Sequence, residues 1–230
     1  MKRGAGFTLV EVLVAVAIMA LLAVMSWRGL DAMGAAQTQT QKYGDDVSAV
    51  QAGLAQWNAD LDALTQLPPL GGVEFDGRIL RLTRQYLYDD VATEQTPSTA
   101  IGGGSIRVIA WGVRMQDGRH QWLRWQSAPL HTRSELQIAW QQAGLWGQNP
   151  TDELRQREVA VTAVDDWQIF FYRNNSWTSP LSSATGAVSG VAGGQAPLPD
   201  GVRLVLTLSS GQALSGKLTR DWVWPAIGTK

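Results

Sequence analysis

The 230-residue chain contains no cysteine. That excludes a disulfide framework, a thiolate zinc site, an iron-sulfur cluster and a cysteine nucleophile, and it leaves the compartment open. Histidine is scarce: His120 and His131 are the 2 present, with no His-x-x-x-His pair between them, and both read as surface side chains. There is no nucleophile elbow and no phosphate loop, and Gly102-Gly103-Gly104 reads as a flexible turn. An excess of one charge is missing too, since 19 Lys+Arg stand against 20 Asp+Glu. No basic face for nucleic acid is implied by that balance. The pairs Asp45-Asp46, Asp89-Asp90 and Asp165-Asp166 are clustered carboxylates of the kind hard cations take, but none has a defined loop spacing, so they read as solvated turns. These absences point away from an enzyme, a metal site or a cofactor site.

What is present begins with an apolar run. Residues 7–25 contain only Thr8 and Glu11 as polar members, and Lys2 and Arg3 lie just ahead of them. At about 1.5 Å rise per residue, such a helix matches the roughly 30 Å hydrocarbon core of a bilayer. The cationic leader stays on the cytoplasmic side by the positive-inside bias, which places the remaining chain across the membrane. A cleaved secretory signal ending at Ala15-Val16-Ala17 would keep a short apolar region and waste the equally apolar residues 18–25. A plain single-pass anchor explains the length but not Glu11, because an ionised carboxylate within a spanning helix costs about 2.5–3.5 kcal/mol at its centre. Glu11 needs a partner.

The string Gly6-Phe7-Thr8-Leu9-Val10-Glu11, preceded by Lys2 and Arg3, resembles the class III signal of type IV pilins and type II secretion pseudopilins. The resemblance implies that a prepilin peptidase cuts after Gly6 and methylates the new amino group of Phe7. It also implies that Glu11 sets assembly register. An anion near the membrane face can pair with a neighbouring subunit's N-terminal ammonium, offsetting two desolvation costs.

Past the membrane, Tyr43, Val47, Val50, Leu54, Trp57, Leu61 and Leu64 recur at spacings of 4 and 3, a narrow apolar seam on one helix face. The seam is expected to pack on the chain's own domain rather than to dimerise two stalks. Pro68-Pro69 predicts the helix end near Leu67. Gly29, Gly34, Gly44 and Gly53 are expected soft points at about 1 kcal/mol each against alanine, with a kink or local melting around 29–34. The period then becomes two. Residues 73–75 and 78–82 flank Asp76-Gly77, residues 106–114 and 121–125 flank Asp117-Gly118, and residues 169–172 with Trp177 flank Asn174-Asn175, all hairpin signals. Residues 202–208 and 212–219 around Ser209-Ser210-Gly211 form a last hairpin, residues 134–145 a short helix, and residues 182–195 a mobile loop.

This order predicts an α+β fold: a long N-terminal hydrophobic stalk helix packed on an antiparallel β-sheet head. The expected parts are a leader at 1–6, a transmembrane half at 7–26, a periplasmic stalk at 27–67 and a β-rich head at 70–230. Asp166-Trp167-Gln168-Ile169-Phe170-Phe171-Tyr172, then Trp177, then Leu198-Pro199-Asp200-Gly201-Val202, together with Asp60-Leu61 and residues 27–30, resemble the J-type minor pseudopilin of type II secretion. The chain departs from that pattern at the Gly-rich residues 182–195 and in lacking a second tryptophan after Trp177. Glu11 and the short length argue against the K type.

The resemblance implies a non-enzymatic, single-pass protein of the bacterial inner membrane with a periplasmic head. Its implied partners are the I, K and H types, the major pseudopilin and the prepilin peptidase, in a tip complex that primes the pseudopilus. A minor pilin priming a surface pilus for motility, adhesion or DNA uptake is the alternative, and a carbohydrate-binding anchored domain a third reading. Missing cysteines lean toward secretion, because many pilus minor pilins carry a disulfide in the head. Trp111, Trp122, Trp125, Trp140, Trp146, Trp222 and Trp224 read as core residues or as interface anchors.

Overall fold

The computed structural model describes residues 8–67, 72–86, 105–182 and 198–224. Gly6 and Phe7, Pro68-Pro69, Asp89-Asp90, Gly102 to Gly104 and nearly all of the 182–195 loop lie outside the described residues. In chain order the elements are α1 (Leu9–Asp62), β1 (Val73–Phe75), β2 (Ile79–Tyr86), β3 (Ser105–Gln116), β4 (Arg119–Gln126), α2 (Arg133–Gln148), α3 (Asp152–Arg155), β5 (Glu158–Arg173), β6 (Ser176–Thr178), β7 (Gly201–Leu208) and β8 (Gly216–Val223). The chain is α+β, a long apolar helix followed by an antiparallel curled sheet.

Two compact units divide the chain, residues 1–45 and 46–230. The second unit takes in the last turns of α1 together with the sheet. Val50, Trp57, Leu61 and Leu64 of the seam are buried among the head's own residues, with Leu54 half-buried, so the last turns of α1 belong to the head. Helix α1 also stops five residues before Leu67, at Asp62. The cause is strand pairing rather than the prolines: Thr65 N donates to Thr83 O and Gln85 N to Ala63 O, so the chain beyond Asp62 is drawn out along β2. The helix runs unbroken through Gly29 and Gly34, so no local melting interrupts α1 there. Glycine carries a propensity penalty but blocks no helical hydrogen bond, and no proline lies within α1.

Among the described residues eight strands form one antiparallel sheet in the order β1-β2-β3-β4-β5-β7-β8, with β6 paired to β5. Alternation places Ile109 and Trp111 of β3 in one core with Trp57 and Leu61 of α1, whereas Ile106, Val108 and Ala110 enter a second core with Leu136, Trp140 and Trp146 of α2. Helices on both faces explain why β3 reads as nearly continuous apolar sequence instead of a half-polar strand. The long β5 bridges the halves of the sheet, pairing β4 through its first residues and β7 through its last. A register shift between Val164 and Asp166 changes its parity, so Val164 and then Ile169 and Phe171 all reach the first core.

Turn chemistry follows the sequence at two hairpins and departs from it at two others. Asp117 and Gly118 both have positive φ, as do Asn174 and Asn175, closing two-residue turns between β3 and β4 and between β5 and β6. At the first hairpin only Gly77 has positive φ. Phe75 opposes Leu80, so the turn residues are Gly77 and Arg78, and Asp76 instead accepts from the amides of Arg78 and Ile79 at 2.9 Å each. The last hairpin is looser than expected, since β8 starts at Gly216 rather than Gln212. Gln212 is drawn away from strand pairing because its Nε2 donates to Ala163 O at 2.8 Å while its Oε1 accepts from Thr162.

Helix α2 starts on a capping box: Thr132 Oγ1 accepts from the Glu135 amide at 3.2 Å, and Glu135 reaches back to the His131 and Thr132 amides. The His131 amide, with that of Thr132, holds the Glu135 carboxyl below its ordinary pKa. A depressed carboxylate contributes stability above its unfolded pKa, and that contribution is lost as pH falls through the folded value. Thr132→Ala is expected to cost about 0.5–2 kcal/mol in chemical denaturation. The same substitution should leave the NMR-observed Glu135 titration largely in place, because its first partner is the His131 amide.

Candidate assembly surfaces

Between Leu9 and Met25 the large apolar side chains of α1 are all 52–77% exposed. Leaving one Val or Leu side chain in water instead of burying it forgoes about 1.5–3 kcal/mol. A run of this length needs an apolar surrounding, and α1 is long and apolar enough to cross a membrane. Glu11, the acidic residue of its first turn, has its needs met within the chain. Its Oε2 accepts from Thr8 N at 3.0 Å and Thr8 Oγ1 at 2.9 Å, and its own amide lies 3.4 Å from Thr8 Oγ1. This too is a capping box. Thr-x-x-Glu is itself a helix-start signal in the sequence, and it does not exclude the intersubunit role expected of Glu11.

The seam residues occupy graded environments. Tyr43 is exposed, Val47 and Leu54 are half-buried, and Val50, Trp57, Leu61 and Leu64 are buried. Trp57 meets Trp111 edge-on at 5.5 Å and Trp122 at 6.1 Å, and those two stack at 4.5 Å. Of the seven tryptophans read as core residues or interface anchors, six are core: Trp111, Trp122, Trp125, Trp140, Trp146 and Trp222 are at most 7% exposed, and Trp224 is half-buried. They are spent inside the head.

Asp60 organises the end of α1. Fully buried, it accepts from Gln56 Nε2 at 2.8 Å, Arg84 Nη1 at 2.5 Å, Trp111 Nε1 at 2.9 Å, and Arg124 Nε and Nη2 at 2.7 and 2.9 Å. One carboxylate thus ties α1 to β2, β3 and β4. Burial works against the Arg124 charge, but the hydrogen bonds and charge of Asp60, together with Tyr86, outweigh that and raise its pKa. On the opposite side of the sheet Glu158 does similar work, accepting from Arg114 Nη2 at 2.6 Å, Gln116 Nε2 at 2.7 Å and Trp146 Nε1 at 2.6 Å. Residue type alone gave no sign of either, since a buried carboxylate is read from its partners.

The strings at the end of the chain meet in one corner. Tyr172 and Trp177 lie 5.0 Å apart, the Asp200 amide donates to Tyr172 O at 2.9 Å, and the Arg203 guanidinium sits 4.3 Å over Trp177. A Cβ on Gly201 would come within 3.3 Å of the Trp177 ring and 2.8 Å of Trp222 O, so the close approach there requires glycine. Arg203 also holds Asp221 across the strands, at 2.7 Å through both nitrogens. Of the acidic pairs, Asp46 accepts from the Ala213 amide and Asp165 from Ser209 Oγ. Among the described residues no three His, Asp or Glu side chains converge. His120 stands exposed on β4, and His131 precedes the α2 cap.

Residues 1–27 match the prokaryotic N-terminal methylation motif. No curated protein matches the chain. The motif supports a type IV pilin or pseudopilin.

Proposed function

We propose that this chain is a minor pseudopilin of the type II secretion system, most similar to the J type. It joins the I, K and H types in the tip complex that primes the pseudopilus. The methylation motif over residues 1–27 supports the pilin or pseudopilin part of this reading. The corner built by Tyr172, Trp177, Asp200 and Gly201 carries the finer part, because the residues of the J-type resemblance meet there. Prepilin peptidase removes residues 1–6 and methylates Phe7, α1 anchors the chain in the inner membrane, and the head lies in the periplasm. On addition to the major pseudopilin, Glu11 exchanges its Thr8 hydrogen bonds for a neighbouring subunit's terminal ammonium.

The test compares extracellular enzyme release and twitching in a strain lacking the protein, complemented by wild type or by Gly6→Ala. The expected result is lost secretion, unchanged motility, and no rescue by Gly6→Ala. Lost motility with intact secretion would instead make the chain a pilus component.

A further inference from the structure

We draw no further inference here: the strongest candidate, the groove of about 330 Å³ between Ala49, Ala52 and Gly53 of α1 and Val159 to Val161 of β5, carries none because nothing in the structure shows what covers it.

Discussion

Asp60→Ala is expected to destabilise the head by about 3–5 kcal/mol, the range for removing one partner of a buried ion pair. At this chain length that corresponds to a melting temperature lower by about 6–20 °C. Arg84 and Arg124 have side chains only 17% and 11% exposed, so without the carboxylate two guanidinium charges remain largely out of water. Trp111 Nε1 loses its acceptor as well. Asp60→Asn should recover part of the loss, since the amide oxygen still accepts while its NH2 now faces donors. Asp60→Leu combined with Arg84→Met and Arg124→Met should recover more, because replacing a whole buried ion network with apolar groups is often near neutral. Thermal and chemical denaturation of the detergent-solubilised full chain would measure all three. A change within about 0.5 kcal/mol for Asp60→Ala would mean that the carboxylate is solvated and the network does not hold α1 to the sheet.

The strand pattern and the helical seam were legible because each rests on a local period. Val73 to Phe75 and Ile106 to Arg114 lie in the strands their alternation suggested, and Trp57 and Leu61 are buried on the helix face their spacing suggested. What failed was set by contacts distant in sequence. The end of α1 depends on Thr83 and Gln85, some 20 residues on, and not on the prolines that follow it. The start of β8 depends on where Gln212 finds its partners, on β5. The tryptophans divide the same way: composition shows that there are 11, but only the two-sided sheet decides that most of them fill its cores.

The pilin-like resemblance was legible at the N-terminus, because such a motif is read from a contiguous string. Lys2, Arg3, Gly6, Phe7 and Glu11 carry that signal within eleven residues. The head is different, since its resemblance is spread over separate stretches: Tyr172, Trp177, Asp200 and Gly201 meet only on folding, while Asp60 lies apart from them among Arg84, Trp111 and Arg124. Asp60 illustrates the gap: it stood in the sequence as one of a pair of family-like residues, and its physical role as the acceptor for two arginines and a tryptophan appeared only with the fold.

Gly53→Ala is expected to destabilise the chain by about 1–3 kcal/mol, the usual cost of forcing a methyl into a close contact, although alanine is the better helix former by about 1 kcal/mol. The new methyl would stand 2.3 Å from Val161 Cγ1 and 3.0 Å from Trp122 Cζ3. Trp122 is fully buried and β-branched Val161 has few side-chain rotamers, so relieving the contact needs a strained rotamer or a shift of α1 against the sheet. Gly29, Gly34 and Gly44 lie on the same helix with nothing within 4 Å of a Cβ. Gly34→Ala therefore isolates propensity from packing and should stabilise α1 by about 0.5–1 kcal/mol. The informative quantity is the difference in sign between the two variants, read from denaturation midpoints together with helical circular dichroism. Stabilisation by both would mean that α1 stands farther from β5 than the 2.3 Å contact requires, with the Asp60 network left as the main hold on the helix.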